Sequence, residues 1–144
     1  MYEIRNAVDT NRITDFFILE GDEWKMENQE MNLAEAYLQE YKHGMGVFSE
    51  KMPHIAHAFS EFSDTCFREG ELSKKEKQLI ALSISVVAQD EYCIVYHTKG
   101  CIDQGASEQE VMEACGVAAA FGGGAALSQA VTLVQESMTD LNHH

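Results

Sequence analysis

A thiol and an imidazole four residues apart carry the chemistry of this chain. Cys93 and His97 stand in the run Asp90-Glu91-Tyr92-Cys93-Ile94-Val95-Tyr96-His97. If the segment is helical, they share a face and lie one turn apart. In that relation they can exchange a proton, and the thiolate is the reactive form of cysteine. Asp90 suits the N-cap, which would put Cys93 in the first turn, where the helix dipole favours a thiolate. A protonated His97 would act in the same direction. Asp90, Glu91 and burial among apolar neighbours oppose it. Asp90, Cys93 and His97 could also be read as metal ligands. Tight zinc sites show three or four protein ligands at recognisable spacing, and this set is incomplete, so no metal or cofactor is expected. His54, His57 and the terminal His143-His144 are weaker candidates still, and the last pair reads as an appended tail.

The elements that must position this pair follow from helical periodicity. Leu33, Tyr37, Tyr41, Met45 and Phe48 recur at helical spacing. Pro53 suits the first turn of a second helix, whose stripe of Ile55, Phe59, Phe62 and Cys66 reads as buried and which Gly70 ends. Ser73 and Glu76 form a capping box for a third helix. Leu79, Ile80, Leu82, Ile84, Val86 and Val87 cover most of its circumference, the mark of a central helix or a subunit interface. The Cys93–His97 helix runs to Gly105. Ser107 and Glu110 cap the next, with Val111, Ala114, Ala118 and Phe121 inward, until Gly122-Gly123-Gly124 breaks it. The triplet lacks the Lys-Ser/Thr of a phosphate loop and reads as a tight turn with close helix contact. A final helix carries Leu127, Val131, Val134, Met138 and Leu141. The fold class is all-α, with about six helices.

Composition sets the outer limits. The chain has 144 residues, one proline and a formal charge of −14. One domain with a genuine core is expected. A charge of that sign and size argues against a nucleic-acid or anionic-membrane partner, both of which need clustered Lys and Arg. No apolar run reaches the length of a membrane span, and the first residues lack a basic-then-apolar signal pattern, so the cytoplasm is the expected location. The four cysteines fall in helix-like segments, unlike the loops of a disulfide scaffold. Cys66 and Cys115 read as core residues, and Cys101 leans the same way. Residues 1–30 hold eight acids against three bases, with one strong apolar cluster at Phe16-Phe17-Ile18-Leu19. They read as an N-terminal extension or arm before a helical domain at 31–144.

Residues 72–127 resemble the carboxymuconolactone decarboxylase family, which includes the alkylhydroperoxidase D-like proteins. The matching text is Leu72-Ser73-Lys74-Lys75-Glu76-Lys77-Gln78-Leu79-Ile80-Ala81-Leu82, then Tyr92-Cys93-Ile94-Val95-Tyr96-His97-Thr98, then Gly105 to Ala114 and the glycine triplet. The resemblance implies an alkylhydroperoxidase D-like helical bundle that assembles as a homotrimer or homohexamer. Peroxidase-type members use a C-x-x-C-x-x-x-H motif and a glutamate on the preceding helix. Cys93 matches the second cysteine and His97 the histidine. Asp90 stands where the first cysteine would be, Gln78 where the glutamate would be, and Tyr92 where some members carry a second histidine.

These departures have chemical consequences. A two-cysteine cycle needs a second thiol to resolve the sulfenic acid, and Asp90 cannot do so. Gln78 can hydrogen-bond but cannot relay a proton as a carboxylate does. The expected activity is therefore a peroxidase with Cys93 as nucleophile and His97 as its base and partner, while Gln78, Asp90 and Tyr92 line the pocket. Its partners would be a hydroperoxide and a thiol reductant, with resolution by Cys101, a partner chain or a small thiol. Cys101 lies roughly 12 Å from Cys93 along a straight helix, too far for a disulfide without unfolding. Two alternatives keep the fold. One is a lactone-acid decarboxylase-like enzyme, for which Arg68, Lys74, Lys75, Lys77 and Lys99 are the few candidate cations. The other is a non-catalytic binding or assembly protein.

Overall fold

The structure, a computed structural model, describes residues 31–142. The proposed arm at 1–30 and the His143-His144 pair lie outside the described residues. Within 31–142 every regular element is helical, as the periodicity predicts.

Most of the helices start where a side chain can satisfy the first free N–H groups. Helix α1 (Leu33–Lys51) opens on a capping box in which Asn32 accepts from the Glu35 N–H at 2.9 Å and Glu35 reaches back. Its first turn is clasped to the far end of the domain. The Asn32 amide donates to the Asp140 carbonyl, and the Ala34 N–H to the Asp140 carboxylate, both at 3.3 Å. Helix α2 (Pro53–Phe67) begins with Pro53. The expected boxes at Ser73/Glu76 and Ser107/Glu110 open α3 (Lys74–Ala88) and α5 (Glu108–Gln129). Between them, Gln89 takes a left-handed conformation (φ 59°, ψ 34°) that ends α3, and Asp90 caps α4 (Glu91–Asp103) at once.

The core lies among α3, α4 and α5. Leu82 and Val86 of α3 meet Ile94 and Val95 of α4, with Val111, Cys115, Ala118 and Ala126 of α5 closing the layer. Small residues on α5 allow a close approach. A Cβ at Gly122 would strike the Ala126 methyl at 2.6 Å and press on Val87. The α3 and α5 pair is also joined by a Ser83 hydroxyl donating to the Ala114 carbonyl at 3.1 Å and a Lys75–Glu110 ion pair at 2.7 Å.

The glycine triplet breaks the helical geometry, as expected, and the chain resumes as helix directly after the kink. Gly123 alone leaves helical geometry (φ 65°, ψ −152°), a conformation open to glycine, and the chain continues through a π-helical turn (Ala130–Val134) into α6 (Gln135–Asn142). By length and apolar composition the run Glu108–Asn142 could cross a membrane, contrary to the sequence expectation. Its Val111, Cys115, Ala118, Val134 and Met138 are instead buried in the core.

Three burial expectations are corrected. The α2 stripe is not buried in this chain: Ile55, Phe59 and Phe62 are more than half exposed, Cys66 is exposed, and only Ala56 is covered. Helix α3 is not buried all round, since Ile84 keeps 63% of its surface and Ile80 and Val87 are also exposed. Phe121, expected inward, is 87% exposed beside the kink. Periodicity identifies an apolar face but not the body that covers it.

Candidate functional site

The turn at Gln89-Asp90 fixes the site. Asp90 Oδ1 accepts the Cys93 N–H at 3.1 Å, so Cys93 sits in the first turn of α4, as the sequence suggests. Ile94, Val95, Thr98 and Cys101 turn the opposite side of the helix into the core. Cys93, Tyr96 and His97 are thereby left facing outward, where they line a cavity of about 450 Å³.

The His97 ring is held on three sides. Its Nδ1 lies 2.8 Å from Gln78 Oε1 on α3. A carboxamide oxygen can only accept, so Nδ1 carries the hydrogen and Nε2 keeps its lone pair. Phe67 stacks on the ring at 5.5 Å between centroids, and Tyr96 meets it edge-on at 5.2 Å. Burial lowers the His97 pKa against the opposing pull of Asp90, which favours the neutral ring. Gly100, one turn further along α4, makes this possible. A Cβ there would collide with the Gln78 carboxamide. A glycine inside a helix costs about 1 kcal/mol relative to alanine, which is the sequence signal that a packing reason exists.

Cys93 resolves the balance that the sequence leaves open. Burial pushes its thiol up, and Asp90 adds to this by accepting its hydrogen bond and repelling a thiolate, so the pKa is carried to about 11. Position at the helix N-terminus does not overcome these effects. At neutral pH the resting group is a thiol. Asp90 thus has two roles on one residue: its carboxylate caps the Cys93 backbone and holds the Cys93 side chain protonated.

Aromatic rings complete the cavity. Tyr92 and Tyr96 come from α4, Tyr41 from α1, and Phe59, Phe62 and Phe67 from α2. Tyr41 packs on Tyr96 at 5.7 Å, and Tyr37 meets Tyr92 edge-on at 5.1 Å while its hydroxyl donates to Glu91 at 2.6 Å. Burial and a Glu40 hydrogen bond push Tyr92 up to about 12, which keeps its hydroxyl neutral. Among the described residues the cavity wall includes Asp64 but no lysine or arginine. Three candidate cations are engaged elsewhere: Lys75 with Glu110, Lys99 with Asp103, and Lys77 with the carbonyls of Cys66 and Arg68.

The structure therefore brings Gln78, Tyr92, Cys93 and His97 onto one cavity, with Asp90 bonded to Cys93. Cys101 is fully buried and lies on the core side. Asp90, Cys93 and His97 do not converge as a ligand trio: Asp90 bonds to Cys93 while His97 turns to Gln78, and no group of three such side chains is placed to hold a metal ion among the described residues. The sequence reading missed Cys66, Gly100 and the α2 aromatics as site residues. In the sequence the α2 stripe shows only an apolar period, which a core face and a cavity wall share.

A sequence model of the carboxymuconolactone decarboxylase family matches residues 53–136, which runs from the start of α2 to the start of α6. The chain belongs to the carboxymuconolactone decarboxylase family. Among its relatives is a Paracoccus denitrificans protein named uncharacterized protein 4 in cox locus. It is 36% identical over 98 residues, spanning 68% of this chain and 88% of the relative. A carboxymuconolactone decarboxylase family protein from Legionella pneumophila, solved in its apo form, superposes with a TM-score of 0.71 at 26% identity, covering 75% of this chain and 96% of that one. A Thermotoga maritima family member, described as a candidate for an antioxidative response, gives a TM-score of 0.61 at 24% identity over 74% of this chain and 87% of its own. The helical bundle of the carboxymuconolactone decarboxylase family is thus the fold of this chain, in agreement with the sequence reading.

Proposed function

We propose that this protein is a thiol-dependent peroxidase acting on uncharged organic hydroperoxides. The observation that carries the reading is that Cys93 and His97, one turn apart on α4, line the same aromatic cavity of about 450 Å³, with His97 oriented by Gln78. The resting thiol requires that the proton move during the reaction. His97 Nε2 takes the Cys93 proton as the sulfur attacks the outer peroxide oxygen. The O–O bond breaks, and the imidazolium returns the proton to the departing alkoxide. The products are an alcohol and Cys93 sulfenic acid, and an external thiol reductant restores the cycle with release of water. Gln78 orients the base, while Asp90 and Tyr92 shape the pocket. No metal or cofactor enters these steps.

The wall favours apolar substrates. Six aromatic side chains suit a bulky hydrocarbon group, and an acidic side chain without a cation disfavours a carboxylate. The same feature weighs against a lactone-acid decarboxylase. The raised Cys93 thiol is the one observation that favours a non-catalytic binding role. Steady-state peroxide consumption with cumene hydroperoxide and a dithiol separates the two: turnover dependent on Cys93 supports the peroxidase, and its absence leaves a binding protein.

The working form is a homotrimer or homohexamer. Ile80, Ile84 and Val87 of α3, with Val117 and Phe121 of α5, are exposed apolar side chains that a second copy would cover. Sedimentation velocity tests this, and a monomer at micromolar concentration would overturn it. The chemistry needs reduced thiols, which fits the cytoplasm. The −14 charge fits the absence of a nucleic-acid or membrane partner.

A further inference from the structure

Cys66 lines the same cavity as Cys93 but plays no part in the steps above. It stands in the last turn of α2 and is exposed. The next residue, Phe67, stacks on His97, itself one turn along α4 from Cys93. Lys77 fastens this segment to α3, donating to the Cys66 carbonyl at 2.9 Å and the Arg68 carbonyl at 2.6 Å, immediately beside Gln78. The body of α2 buries only Ala56, so little apolar packing opposes movement of α2 toward α4. Cys101 and Cys115 are buried in the core, at 0% and 2% exposure, and neither lines the cavity.

We infer that Cys66 is the resolving thiol, supplying from α2 the second sulfur that Asp90 denies to α4. The inference rests on the peroxidase reading. The Cys66 sulfur attacks the sulfur of Cys93 sulfenic acid. The S–O bond breaks, the S–S bond forms, and the Cys66 proton leaves with the hydroxyl as water. An external dithiol then reduces the Cys66–Cys93 disulfide to two thiols and is itself oxidised to a disulfide.

The test uses the full chain, reduced and then treated with one equivalent of cumene hydroperoxide, followed by non-reducing peptide mapping. The expected product is a disulfide joining residues 66 and 93 within one chain. In Cys66→Ser, Cys93 should still oxidise to the sulfenic acid. Sulfenic acid trapped by dimedone should then rise about tenfold, and inactivation by excess peroxide should be correspondingly faster. Sulfenic acid persisting on Cys93 of the unaltered chain while Cys66 stays a free thiol would overturn the inference and leave the peroxidase standing. So would a disulfide to Cys101 or to another chain. A Cys93 that peroxide leaves untouched in both proteins would overturn the inference and the peroxidase reading together.

Discussion

Four cysteines divide into two pairs, one on the cavity and one in the core. Cys101 and Cys115 are sealed among apolar side chains, and burial pushes their thiols up to about 12 and about 11. Cys93 is pushed up to a similar value, but part of its shift comes from a single carboxylate, Asp90. Cys66 is exposed. Resting pKa alone therefore does not separate a packing cysteine from a reactive one. Under the peroxidase reading, access to the cavity and the nearby His97 make the difference.

The largest expected effect is loss of function at Cys93. Cys93→Ser should abolish peroxide turnover, while Cys115→Ser should leave it intact; turnover surviving in the first variant would erase the distinction between the pairs. Next is the base. His97→Ala should slow oxidation of Cys93 by roughly 10²-fold, the usual scale of general-base catalysis. Gly100→Ala should act in the same direction by displacing Gln78 from Nδ1, seen as a changed His97 titration by NMR.

Asp90→Asn sharpens the comparison further. Asparagine keeps the cap but removes the charge, so iodoacetamide should alkylate Cys93 about tenfold faster at neutral pH. An unchanged rate would assign the whole shift to burial. The pH dependence has a definite sign. The folded protein favours the neutral thiol of Cys93, raised from 9.0 to about 11, so its contribution to stability is present below pH 9 and is lost as pH rises through 11. Alkylation of the folded protein should accordingly keep rising past pH 9. The smallest effect lies in the core, where Cys101→Ala should lower stability by about 1–2 kcal/mol without touching peroxide chemistry. Chemical denaturation and the turnover assay together would show it.

Local signals were legible in the sequence because they act locally. The Ser73 and Ser107 boxes, the Asp90 cap and the inward Leu82, Val86 and Val111 depend on neighbours within a turn or two. Cys93 and His97 were legible for the same reason, and the structure puts both on the cavity. Phe59, Phe62 and Cys66 were legible as an apolar stripe, but a stripe on a core helix and one on a cavity wall have the same period. Gly100 matters only through Gln78, twenty-two residues earlier, and a single sequence does not announce that contact. The left-handed Gln89 was also hidden, since glycine is the usual residue at such a turn.

The clasp between Asn32, Ala34 and Asp140 brings the first and last described helices side by side. The helical domain is thus nearly a closed ring of chain. Fraying at either end breaks the same bonds, so the two termini should open as one unit, with linked hydrogen-exchange rates. A circular permutant of this domain, joined across the clasp and cut at the exposed Gly70-Glu71 turn, should keep the α3–α4 hairpin and its cavity wall.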